Sequence, residues 1–165
     1  MSNIDSKFKE ELKVEQSLQP NINDIEFLTK KLNDETAELG STHPFAFFIR
    51  NKANEIIAGC NGFVVFGAIY TDQLWVHPEW RKKNLGRELM KHVHDYGRKV
   101  GCKIATVATM SFQSQEFYEK LGYKVDFERN GYVNGSSCLF LQLALSEDRI
   151  KTIKLLPYDK EWPKM

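Results

Sequence analysis

From residue 81 the chain reads Arg81, Lys82, Lys83, Asn84, Leu85, Gly86, Arg87. Just before it, Leu74, Trp75 and Val76 form an apolar triplet that ends at His77 and Pro78. Proline can donate nothing to a ladder, so a strand stops there. Just after it, Leu85, Leu89, Val93, Tyr96 and Val100 recur at helical spacing. A strand therefore runs into a short basic turn, and the turn opens a helix. Such a turn suits an anion. The first helical turn carries backbone N–H groups without partners, and the helix dipole points its positive end the same way. Phosphate oxygens satisfy both. Gly86 admits close approach to the backbone, and asparagine is among the few non-glycine residues that tolerate a positive φ. From these residues alone, an ordinary helix start with solvated charges stays open beside the anion site.

The segment resembles the acetyl-coenzyme A signature of the GNAT family of N-acetyltransferases: Arg or Gln, two residues, Gly, one residue, then Gly or Ala. Arg81, Asn84 and Gly86 fill it, with Asn84 standing where the pattern has its first glycine. The flanks LWVHP and GRELM are similar to the family too. A second stretch, SFQSQEFYEKLGYK, resembles the family's Phe-Tyr-x-x-x-Gly-Phe/Tyr, filled by Phe117, Tyr118, Gly122 and Tyr123.

The resemblance implies acetyl-CoA as cosubstrate and direct transfer of its acetyl group to a primary amine. It implies a V-shaped gap between two parallel strands, ending at Val76 and spanning 103–109. The backbone of Trp75 and Val76 would pair with the pantetheine arm and polarise the thioester carbonyl. Arg81, Lys82, Lys83, Asn84, Leu85, Gly86 and Arg87 would hold phosphate, with Gln113 and Phe117 adding contacts. Tyr118 would be the general acid for the departing thiolate. A thiol near pKa 8.5 and a phenol near 10 need only a small shift to match. Asp72, in the strand leading to the thioester, is the leading candidate for the base that takes the amine's proton. Glu79 and Glu116 are alternatives, and His77 reads as a solvated loop residue. The acceptor, a small molecule rather than a protein N-terminus, would sit between residues 28–45 and the closing hairpin. A catalytically silent CoA sensor or partner-binding module on the same fold is the competing reading.

The elements that must position these groups follow from periodicity. Residues 13–18 suggest a short first strand. Asn21 and Asn23 cap a helix from about residue 24, with Ile25, Leu28 and Leu32 on one face. A loop at 39–44 holds His43. Strands at 45–50, 56–65 and 68–76 follow at hairpin spacing, an antiparallel meander. The helix 85–100 and the strand 103–109 complete a crossover, which demands a parallel pair. A helix at 113–121 and strands at 123–128 and 138–145 close the pattern. The expected fold is α/β (α+β): a GNAT plan with a mixed central sheet of six to seven strands, helices on both faces and a splayed parallel pair. It makes one domain over residues 1–145. Residues 146–165 lie outside it, free to cover a groove or to pack against a second subunit in a homodimer.

Composition narrows the partners. The chain has 165 residues, 42% hydrophobic and 27% charged, with a formal net charge of +1, so no global field draws it to nucleic acid or membrane. There is no Gly-Lys-Ser/Thr for a P-loop and no G-x-G-x-x-G for a dinucleotide fold. Cys60, Cys102 and Cys138 are scattered and odd in number, which suggests reduced thiols and a cytoplasmic location. The four histidines have no metal-ligand spacing with cysteine, so no metal is expected. The first residues mix charges without an apolar run, unlike a signal peptide.

Overall fold

The computed structural model describes residues 14–146. The chain divides into two compact units between Leu32 and Asn33. Helix α1 (Ile22–Glu35), whose last three residues belong to the second unit, starts where Asn21 caps it: its Oδ1 accepts the Asn23 N–H at 2.9 Å. The strand expected at 13–18 does not form over residues 14–18, and Lys13 lies outside the described residues.

The second unit is a six-stranded sheet ordered β1-β2-β3-β4-β6-β5. Strands β1 (His43–Arg50), β2 (Ile56–Val65) and β3 (Ala68–Val76) form the antiparallel meander. Helix α2 (Leu85–Lys99) crosses over to β4 (Ile104–Met110), which lies parallel to β3. A short helix α3 (Gln115–Glu119) leads to β5 (Lys124–Arg129) and β6 (Cys138–Ala144), and β6 inserts antiparallel between β4 and β5.

Two of the boundary differences from expectation have a clear physical cause. β1 starts at His43 rather than at residue 45. His43 is 3% exposed, and Ser41 Oγ lies 2.6 Å from its Nε2, so a polar residue that reads as loop is buried and partnered. Because β1 is an edge strand, Pro44 is tolerated within it. Helix α3 is shorter than the expected 113–121. Gln113 folds back on β4 instead: its N–H donates to the Met110 carbonyl at 2.8 Å and its Oε1 accepts the Met110 N–H at 3.1 Å.

Helix α2 packs across β1, β2, β3 and β4 and buries Leu89, Met90, Val93, His94 and Gly97. Gly97 is there for proximity: an added Cβ would come within 2.9 Å of Ile69 Cγ2 and Leu145 Cδ1. The helix closes on Gly101 at φ 83°, a left-handed cap that glycine adopts without strain. His92 and His94 diverge as their spacing requires, His92 exposed and His94 buried.

Burial, followed by the neighbouring Arg98, lowers the His94 pKa to about 4. The unfolded chain takes up this proton near pH 6.5, the folded chain only near 4. The native state therefore loses stability as pH falls from 6.5 towards 4, and levels off below that. We expect the His94 contribution to the melting temperature to be flat above pH 7 and to fall by at least about 2–4 °C across that window. Paired thermal melts of the wild type and His94→Gln read this directly, since the variant should lack this part of the acid slope.

Candidate active site

The site begins with one extra residue in β3. Asn61 pairs with Gln73 and Gly62 pairs with Thr71, so Asp72 is left over as a bulge. A bulge bends its strand and ends regular pairing. β3 and β4 pair from Ala68↔Ile104 to Thr71↔Val107 and no further. Beyond that point β3 continues to Val76 beside β2, and β4 continues to Met110 beside β6. The two parallel strands diverge, each still held by its outer neighbour.

Strand alternation then decides which backbone groups face the gap. The His77 N–H donates to Ile57 in β2 at 2.8 Å. Extended residues alternate sides, so Trp75 addresses β2 while Val76 and Leu74 address the gap. Consistent with this, the Val76 carbonyl accepts from Arg81 Nε at 3.0 Å rather than from β2. On the facing strand, Gln113 occupies the Met110 backbone, and Ser111 N–H turns to Ser137 in β6. By the same alternation Ala108 presents its N–H and carbonyl to the gap. Leu74, Val76 and Ala108 are half-buried along the cleft, so this edge leaves backbone groups on which a ligand can pair like a strand.

The gap opens towards the first turn of α2. Asn84 adopts φ 63°, ψ 8° and makes no side-chain cap. Lys82 is also left-handed, at φ 61°. The first bond of the helix runs from the Glu88 N–H to the Asn84 carbonyl at 3.0 Å. The N–H groups of Leu85, Gly86 and Arg87 precede it and have no intrahelical acceptor. Left-handed residues in such a turn aim successive N–H groups into one concavity that favours anions. Gly86 serves packing as well: an added Cβ would meet the Phe117 ring at 3.3 Å.

At the other end stands Tyr118, 5% exposed, its ring edge-on to Phe117 with centroids 5.1 Å apart. Burial, then Cys60 and Tyr70, pushes its phenol up to about 12. The shift runs away from the thiol range, so the close match expected between phenol and thiol is not present. The phenol stays protonated through the neutral range and can donate a hydrogen bond throughout.

One cleft of about 750 Å³ joins these features. Asp72, Trp75, Val76, Arg81, Lys82, Asn84, Leu85, Gly86, Arg87, Gln113, Phe117 and Tyr118 all line it. Lys83 does not: its ammonium sits over the Trp80 ring, 4.7 Å from the centroid. Of the other base candidates, Glu116 pairs with Lys120 at 2.6 Å and, like Glu79, lies outside the lining. His77 caps the Pro78–Trp80 turn through Nδ1. Asp72 is exposed, and its negative charge is, after burial, what most raises the pKa of the neighbouring Tyr70 phenol. Among the described residues no group of three or more His, Cys, Asp or Glu could hold a metal, and no helix is long and apolar enough to cross a membrane.

The profile of the acetyltransferase (GNAT) family matches residues 10–123. The chain belongs to that family. Blasticidin-S acetyltransferase of Streptomyces morookaense is 29% identical over 82 residues, covering 49% of this chain and 60% of that protein. The match thus spans three fifths of that relative's length. A crystal structure of an acetyltransferase from Bacillus cereus ATCC 14579 superposes with a TM-score of 0.64 at 22% identity, covering 81% of this chain and 97% of that one. An acetyltransferase from Bacillus anthracis str. Ames, solved in complex with acetyl coenzyme A, superposes with a TM-score of 0.56 at 14% identity, covering 61% and 62%. As a GNAT fold, the chain has the mixed sheet with one parallel pair.

Sequence reasoning did not single out Leu74, Ala108, Thr109, Ser114 or Trp80 as members of this GNAT cleft. Leu74 and Ala108 contribute backbone, which no side-chain pattern reveals. Trp80 was findable: an aromatic beside a basic turn is a usable signal.

Proposed function

We propose that the protein is an acetyl-CoA-dependent N-acetyltransferase that moves an acetyl group directly to a primary amine on a small molecule. The observation that carries this reading is the unpaired β3–β4 edge, which runs from an uncapped helix start to a buried phenol within one cleft. The cleft residues fit acetyl-CoA by their chemistry. Leu74, Val76 and Ala108 offer strand-like pairing to an amide-bearing arm. The α2 N-terminus with Arg81, Lys82 and Arg87 offers a cradle to a diphosphate. Acetyl-CoA would supply an activated thioester.

The chain's own residues do the rest. The N–H groups of Leu74 and Val76 lie where a carbonyl gaining negative charge could be stabilised. Tyr118 donates a hydrogen bond to the leaving sulfur. Asp72, at the bulge, accepts the proton that the ammonium form of the acceptor must lose. The small-molecule acceptor is supported by the named activity of the Streptomyces morookaense relative.

The test is an acceptor screen with thiol detection, spanning polyamines, aminoglycosides, nucleoside antibiotics, amino acids and peptides. Thiol released only in the presence of an amine supports transfer. CoA binding without release for any amine would point to a sensor or partner-binding module. Asp72→Asn should lower kcat/KM at pH 7 by about 10²-fold. The deficit should shrink as pH approaches the amine's own pKa, where no base is needed. A constant deficit from pH 7 to 10 would remove Asp72 as the base.

A further inference from the structure

Two buried polar side chains take no direct part in this chemistry, yet they stand behind it. His94, on α2, is 8% exposed, and Tyr123 is 3% exposed. His94 Nε2 lies 2.9 Å from Tyr123 Oη, with ring centroids 5.6 Å apart. The same Tyr123 ring stands edge-on to Tyr118, centroids 5.7 Å apart at 70°. The backbone repeats the link, since the Tyr123 N–H donates to the Tyr118 carbonyl at 3.1 Å.

This matters because α3 is only five residues long. So short a helix has little stability of its own, and its orientation comes from what it packs against. A ring contact alone holds the Tyr118 ring against sliding only weakly. A ring whose own hydroxyl is anchored elsewhere is a firmer wall. The anchor, His94, sits among Met90 and Val93 on the buried face of α2, the helix whose first turn is proposed above as the anion cradle. Both ends of the cleft are thereby referenced to one rigid element.

We propose that the His94–Tyr123 hydrogen bond positions the Tyr118 phenol for the reaction, making His94 and Tyr123 positioning residues. The proposal rests on the reading of Tyr118 as donor to the leaving sulfur. A misplacement of about 1 Å at a reacting group can cost roughly 10²-fold in rate, and loosening one wall should cost part of that.

The experiment measures kcat, the KM for acetyl-CoA and the melting temperature in Tyr123→Phe, His94→Leu, His94→Gln and the double variant His94→Leu/Tyr123→Phe. It uses whichever amine gives thiol release. Tyr123→Phe and His94→Leu should each lower kcat about 10-fold with KM within about twofold. His94→Gln, whose amide can still reach Tyr123, should keep most of the wild-type kcat. The double variant leaves neither partner orphaned, so its melting temperature should recover while kcat stays low. In a Tyr118→Phe background, Tyr123→Phe should add nothing further. Recovery of kcat together with stability in the double variant would make the bond merely structural and overturn the proposal, as would additivity with Tyr118→Phe. Should His94→Leu fail to fold, Tyr123→Phe carries the test by itself. A lowered kcat in Tyr118→Phe beside a normal kcat in Tyr123→Phe sinks this proposal alone. A normal kcat in Tyr118→Phe sinks the reading of Tyr118, and this proposal with it.

Discussion

Replacing Tyr118 by phenylalanine is expected to lower kcat by roughly 10²-fold, at the lower end of general-acid effects, and to leave the Kd for acetyl-CoA within about twofold. The substitution removes one hydroxyl and keeps the ring. Its packing against Phe117 and Tyr123 therefore survives, and so should α3. The elements proposed to hold the cosubstrate, the β3–β4 edge and the start of α2, are untouched. What is lost is the proposed donor to the leaving sulfur, a role that would act when charge builds on the leaving group and hardly before. Single-turnover thiol release measures the chemical step, and calorimetry measures affinity. An unchanged chemical step would remove Tyr118 from the mechanism. A second readout follows from its pKa of about 12. The acid is needed protonated, and it stays so well above neutrality. The wild-type rate should rise with pH as the acceptor amine loses its proton, and the phenol should impose no falling limb below pH 10 or so.

Gly86→Glu is expected to weaken CoA binding by at least about 10²-fold while the protein stays folded. A carboxylate in the first turn of a helix is favourable for the helix itself. That same preference makes it a competitor, because the new side chain can satisfy the N–H groups proposed for phosphate. Sterics push in the same direction. A Cβ at residue 86 meets Phe117 at 3.3 Å and Val76 Cγ2 at 3.8 Å, so a longer side chain must displace the ring or lie along the cleft. Gly86→Ala separates the two causes: it keeps the ring contact and lacks the charge, so its binding loss should be far smaller. Calorimetry with CoA reads both variants. Normal affinity in Gly86→Glu would displace the phosphate from α2.

The order of elements in the second unit was legible because its signals are local. Pro78 ends β3, Gly101 and Gly122 stop α2 and α3 with φ of 83° and 94°, and the crossover forces the parallel pair. The left-handed Asn84 was also legible, since asparagine tolerates that conformation. What escaped depends on partners distant in sequence. His43 reads as loop until the strand that buries it is known. Asp72 reads as an ordinary strand residue, because a bulge exists only relative to the neighbouring strand. Without the bulge, the side of β3 that each backbone group faces cannot be assigned, and so the sequence points to Trp75 where the alternation turns Leu74 to the gap. Lys83 reads as part of the basic turn that would hold phosphate, while in the structure its ammonium sits over the Trp80 ring.

The extra residue in β3 also sets the odd–even parity of everything after it. Up to Thr71 the odd-numbered side chains, Ile69 and Thr71, face the core; past Asp72 the even-numbered ones, Leu74 and Val76, do. Shortening this strand by a single residue would thus invert its last third, driving the Trp75 indole inward and turning Leu74 and Val76 outward. Gly62 guards the same arrangement, since any side chain there would collide with the Tyr70 carbonyl oxygen. Tolerance to length change should therefore be lowest at a position whose own side chain is solvated, the reverse of the usual rule that exposed sites are permissive.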